Sequence, residues 1–200
     1  MQRSRAVRVA ALIALVILAG TSATAAPNPI VELKVAGRGR VLIELYQKDA
    51  PKTVAQFLRL SRNGFYKGIL FHRVRPGFVA QAGDPGTRKL KAKDLIGATD
   101  NDGRYQQLGI GGGGSGRKIP FEYNNRRHEP GTLSMGLSGP RSDTADSQFF
   151  IDLVRNRALD GDYCVFGRVI EGMDVVQRIQ QGDRIEAVSV TKPAPRKTKA

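Results

Sequence analysis

From Ile30 onward apolar residues tend to recur at every second position, in runs of four to seven residues divided by glycine, proline and charged residues. Side chains of an extended chain alternate between two faces, so such a run buries one face and wets the other, which a 3.6-residue helical period does not match. Ile30 to Val35 sets Glu32 and Lys34 against apolar neighbours, Gly37 supplies a turn, and Val41 to Leu45 continues, which reads as a hairpin. Further strands are expected at Ile69 to Val74, Phe78 to Gly83, Thr132 to Met135, Gln148 to Leu153, Cys164 to Ile170 and Ile185 to Thr191.

The period changes in two places. Asp49-Ala50-Pro51 offers a helix cap and a first-turn proline, Val54, Phe57, Leu58 and Ser61 share one helical face, and Gly64 ends the segment. A second helix is expected from Met173 to about Gln180. Eight short strands and two helices point to a mainly β protein, a closed eight-stranded antiparallel barrel capped by two helices.

Residues 1–25 carry Arg3, Arg5 and Arg8, an apolar run from Val9 to Leu18 and the small residues Ala23-Thr24-Ala25, the three parts of a signal peptide. Cleavage is expected after Ala25, with a periplasmic or secreted product. The apolar run is shorter than the roughly 20 residues of a membrane span, so no span is expected in the mature form. Residues 26–191 read as one domain, 86–117 as a polar, glycine-rich surface insertion, and 192–200 as a basic mobile tail. Cys164 is the single cysteine, which excludes an internal disulfide and reads as a small buried side chain.

The formal charge is +14, and beyond the leader 29 basic residues face 18 acidic ones. Such an excess attracts polyanions through a solvated surface and carries no specific nucleic-acid readout. Gly111 to Lys118 comes close to a phosphate-binding loop, but Arg117 replaces the lysine, Lys118 the hydroxyl, and Pro120 follows instead of a helix. His72 and His128 are the only histidines, and with one cysteine they propose no metal site. Ser134 and Ser147 lie in no nucleophile elbow, so no hydrolase triad is readable.

The segment Phe71 to Pro85 carries the chemistry. It sets Arg73 beside two aromatic rings, Phe71 and Phe78, and the amide of Gln81, around the turn Arg75-Pro76-Gly77. Those groups suit a site that binds an apolar group and polarises an amide. Phe71-His72-Arg73-Val74, Pro76-Gly77-Phe78, Gln81, Gly83-Asp84, Leu133-Ser134-Met135, Gly139-Pro140, Ser147 to Ile151, Leu159-Asp160-Gly161 and Val165-Phe166-Gly167 follow one another in the order and approximate spacing of the cyclophilins, which the chain resembles from about Val31 to Thr191.

The resemblance implies a peptidyl-prolyl cis-trans isomerase that needs no metal or other cofactor. Its partners would be proline-containing peptides and unfolded or folding proteins, and a monomer is expected. Matched residue by residue, Arg73 takes the catalytic position with Phe78 and Gln81 beside it. Val79, Phe150 and Leu159 match the proline-pocket wall, Tyr163 its rim, and Gly136, Leu137 and Gln148 the positions that hold Arg73 or pair with the substrate backbone. Phe71, Phe149, Phe166 and His72 are left to the core. Ala158 stands where cyclosporin-sensitive members carry Trp, which implies weak cyclosporin binding. Two other readings use the same residues differently: a proline-peptide binding module or holdase chaperone with incidental turnover, and a basic interaction protein acting through its charged tail and insertion.

Overall fold

The alternation of the first two runs becomes a hairpin in the computed structural model, which describes residues 26–99 and 103–191. Strands β1 (Ile30–Val35) and β2 (Gly39–Leu45) pair antiparallel with Val31 opposite Ile43 and Leu33 opposite Val41. Those four side chains, with Val35 and Leu45, are buried, while Lys34 is exposed. Gly37 turns the chain at φ +70°, a left-handed conformation that glycine adopts without strain.

Helix α1 (Pro51–Arg62) begins at its expected proline and buries Val54, Phe57, Leu58 and Ser61 against the sheet. Its cap differs from the expectation. Ala50 holds the cap position with no side-chain bond, and Asp49 instead pairs with Arg126 at 2.7 Å. The free N–H groups of the first turn are taken from outside: Glu122 Oε1 accepts from Lys52 N at 2.9 Å, and Oε2 accepts from Thr53 N at 2.7 Å. A carboxylate 69 residues away thus does the work of a local cap, and it also favours the positive end of the helix dipole.

The remaining strands are β3 (Arg73–Arg75), β4 (Val79–Ala82), β5 (Thr132–Met135), β6 (Phe149–Asp152), β7 (Val165–Glu171) and β8 (Ile185–Thr191). Two short helices, α2 (Ala92–Leu95) and α3 (Arg104–Leu108), lie in the insertion, and α4 (Met173–Gln177) precedes β8. The strands form one antiparallel sheet in the order β3-β4-β6-β5-β7-β2-β1-β8. Phe57, Tyr66, Phe149 and Phe166 pack ring against ring inside its curve.

The expected closed barrel is corrected to a curled, open sheet, because β3 and β8 form no ladder. A strand is expected from Ile69, but β3 begins only at Arg73, and the four side chains from Ile69 to His72 are all buried. Ile69 and Phe71 belong to the main core, whereas Leu70 joins a second one. A single bridge, Leu70 to Arg184, and four backbone bonds between residues 68–71 and 182–185 cross the seam.

The insertion is not the surface excursion expected of it. Leu95, Ala98, Tyr105 and Ile110 bury themselves with Leu70 in that second core, and Leu90 and Leu108 flank it. The leader 1–25 and the tail 192–200 lie outside the described residues. Among the described residues no helix is long and apolar enough to cross a membrane.

Candidate active site

Register assembles the site. Arg73 on β3 pairs with Gln81 on β4, Gln81 pairs with Phe150 on β6, and Phe150 pairs with Ser134 on β5. Paired residues of an antiparallel sheet point to the same face, so one row across adjacent strands carries a guanidinium, an amide and an aromatic ring outward. Phe149 and Ile151, at the alternate positions, fill the core.

The turn Arg75-Pro76-Gly77, with Gly77 at φ +72° and Phe78 N bonded to Arg75 O at 3.0 Å, swings Phe78 back toward Arg73. The guanidinium carbon then lies 5.5 Å from the centre of the Phe78 ring, within reach of a cation–π attraction. A cavity of about 290 Å³ opens beside it. Of the expected site residues, Arg73, Phe78, Val79, Gln81, Gly136, Leu137, Phe150, Leu159 and Tyr163 line it.

Gln148 does not line that cavity. Its side-chain oxygen accepts from Gln81 Nε2 at 3.0 Å, its carbonyl accepts from Gly136 N at 2.9 Å, and its own Nε2 donates to the carbonyls of Gly111 and Gly113, each at 2.9 Å. It therefore orients Gln81 and faces a smaller neighbouring cavity of about 170 Å³.

The glycine run turns its N–H groups toward two carboxylates. Gly111 N and Gly113 N donate to Asp84 Oδ2 at 2.6 and 3.0 Å, and Ser115 N and Gly116 N donate to Asp146 at 2.8 and 3.0 Å. Backbone donors that a phosphate loop would present to its ligand are bound here to carboxylates.

Behind the pocket lies a buried polar group that the sequence did not single out. The His128 ring stacks on Phe150 at 5.8 Å and 16°, and its Nδ1 meets Asp152 Oδ2 at 2.9 Å. Asn156 Nδ2 donates to Asp152 Oδ1 at 2.6 Å and to the Phe78 carbonyl at 3.1 Å, tying floor to wall. Burial pushes the Asp152 carboxyl above its usual range, against the hydrogen bonds of His128 and Asn156. Tyr163 meets the Phe150 ring edge-on at 5.8 Å.

Phe71, Phe149 and Phe166 are core residues, as expected. His72, also left to the core, is buried but lines the cavity as well, together with Tyr105 and Gly111 of the insertion. Nothing in the spacing of the insertion marks Tyr105.

The fold agrees with what the chain is similar to. Residues 30–198 match the family model for cyclophilin-type peptidyl-prolyl cis-trans isomerases. A peptidyl-prolyl cis-trans isomerase of Helicobacter pylori is 39% identical over 155 residues, which cover 76% of this chain and 80% of the relative. A probable peptidyl-prolyl cis-trans isomerase of Brucella suis is 38% identical over 190 residues, 94% of this chain and 90% of the relative. The crystal structure of a cyclophilin-type isomerase of Cryptosporidium parvum superposes with a TM-score of 0.66 at 26% identity, covering 84% of this chain and 99% of that one. A second structure of the same protein, in the presence of the dipeptide Ala-Pro, gives a TM-score of 0.63 at 26% identity.

The chain belongs to the cyclophilin-type peptidyl-prolyl cis-trans isomerase family. Its activity is rotation about Xaa-Pro peptide bonds.

Proposed function

We propose that the cavity grips the ring of a substrate proline while Arg73 stabilises the twisted peptide bond. Rotation is opposed by about 18–20 kcal/mol of amide resonance and takes roughly 10–100 s unaided. No bond breaks, so a catalyst needs an apolar grip, anchors for the flanking backbone, and a donor that binds the twisted state better than the planar one. Phe78, Val79, Phe150, Leu159 and Tyr163 supply the grip. Gln81, held by Gln148, and the backbone of Gly136 and Leu137 anchor the peptide. Arg73 supplies the donor. Its charge does not depend on titration, and its fork can bond the pyramidal nitrogen or the prolyl carbonyl.

One observation carries this reading: Arg73, Gln81 and Phe150 form one row of a strand ladder at the edge of an apolar cavity. The Ala-Pro dipeptide present with the similar Cryptosporidium parvum protein favours the same substrate class. The leader's composition favours exported clients, for which the enzyme would serve as a folding helper in the periplasm or outside the cell.

Exchange NMR on a short Ala-Pro peptide tests the assignment. Wild type accelerates interconversion, and Arg73→Ala lowers kcat by about 100-fold or more, the scale of removing one preorganised electrostatic donor. An Arg73→Ala variant that turns over normally overturns the role of Arg73. Peptide binding without acceleration by wild type favours a proline-binding module instead.

A further inference from the structure

We infer that Tyr105, carried into the site by the insertion, is a positioning residue for Arg73; this rests on the assignment of Arg73 made above. The open seam of the sheet leaves one carbonyl to be satisfied. Phe71 is the last residue whose backbone pairs with the segment before β8: its N–H bonds Asp183 O at 2.8 Å and its carbonyl accepts from Gly182 N at 2.9 Å. The next carbonyl, that of His72, lies in the peptide unit joining His72 to Arg73. A buried carbonyl beyond the end of a ladder must find a partner elsewhere.

Two side chains from distant segments meet that need. The Tyr105 hydroxyl donates to His72 O at 2.5 Å, and Gln181 Nε2 donates to the same oxygen at 2.8 Å. Gln181 Nε2 also reaches Ala98 O at 2.8 Å and the Tyr105 hydroxyl at 3.3 Å, which ties the insertion to the turn before β8.

Tyr105 is itself held. Gly103 and Gly109 bound its one-turn helix in left-handed conformations, and the ring stands edge-on to His72 at 6.0 Å. On another side lies Gly111, where an added Cβ would sit 3.3 Å from the Tyr105 ring. Tyr105 is 6% exposed and lines the Arg73 cavity, so the hydroxyl that grips the peptide plane before Arg73 belongs to a fixed wall. The backbone from which the guanidinium projects is thereby fixed from the insertion side, where β3 has no further strand beyond it.

The test is a double-mutant cycle on an Ala-Pro peptide by exchange NMR, using wild type, Tyr105→Phe, Arg73→Ala and the double variant, with melting curves for all four. Tyr105→Phe keeps the ring and leaves His72 O bonded to Gln181, so the fold stands. Its kcat falls about tenfold, below the roughly 100-fold that a 1 Å misplacement can cause. KM stays within about twofold, because the grip on proline is unchanged. In the Arg73→Ala background, followed at high enzyme concentration, the hydroxyl makes no difference. Unchanged kcat in Tyr105→Phe, an effect confined to KM, or the same fall with Arg73 absent overturns the inference. Normal turnover by Arg73→Ala alone overturns the Arg73 assignment first, and this inference with it.

Discussion

Asp84 offers a strong link between stability and catalysis, and Asp84→Asn would expose it. The side chain is fully buried; Oδ1 accepts from Gly86 N at 2.8 Å, and Oδ2 accepts from Gly111 N and Gly113 N at 2.6 and 3.0 Å. An amide presents one acceptor oxygen and one donor nitrogen, so either orientation turns a donor against at least one backbone N–H. The less harmful orientation keeps both glycine-run bonds and loses Gly86. Losing one bond to a charged acceptor, about 1.5–3 kcal/mol, and setting the half-buried Gly86 N–H against the amide's own donor gives a destabilisation of about 3 kcal/mol. A domain of this size melts about 2–4 °C lower per kcal/mol, so Tm should fall by about 6–12 °C with folding retained. Gly111 lines the cavity and accepts from Gln148, so kcat/KM should fall about tenfold as the wall loosens. With no tryptophan in the chain, urea unfolding is followed by far-UV circular dichroism, and turnover by exchange NMR. A variant within about 0.5 kcal/mol of wild type would refute the reasoning, since surface-like tolerance is incompatible with three bonds to a buried carboxylate.

Two further outcomes follow from packing. At Gly83, φ is +106° and an added Cβ would collide with the Ser147 carbonyl and sit 2.6 Å from Gln148 Cα, whereas at Gly64, φ is +66° and nothing lies within 4 Å. Gly83→Ala should therefore leave little folded protein, while Gly64→Ala should cost only about 1 kcal/mol of stability in urea titrations through added backbone strain; equal losses would contradict the steric argument. Cys164 is 2% exposed, and burial, only partly offset by the Thr53 hydroxyl, pushes its thiol up to about 11. At pH 8 a disulfide reagent should label the native thiol only at the rate of opening and the urea-unfolded thiol at once; rapid native labelling would show the site is accessible.

The elements that could be read from sequence are those whose side chains divide cleanly between a wet and a dry face. Strands β1 and β8 lie where alternation places them, the buried face of α1 is the one its apolar spacing marks, and β5 holds its expected residues although all four are buried. The stretch Ile69 to His72 misled because its buried side chains serve two cores, Ile69 and Phe71 the main one and Leu70 that of the insertion. Helices α2 and α3 span four and five residues, too few for a helical period to show. Their apolar residues sit among glycines and charges, so a segment that builds its own small core reads as a surface loop.

The site was legible for a related reason: Arg73, Phe78, Gln81, Gln148 and Phe150 lie in or beside strands whose register brings them together. What stayed hidden is the set of side chains that complete backbone groups where regular pairing stops. Glu122 takes the free N–H groups of α1, Asp84 those of the glycine run, and Tyr105 with Gln181 the His72 carbonyl at the open seam. Each reaches across at least 27 residues, so no local pattern announces it. A buried backbone group without a ladder partner still requires one, and polar residues become candidates once the ends of the strands are known. That rule, applied to the carbonyl before Arg73, picks out Tyr105 and Gln181, which motif spacing and hydrophobic period both pass over.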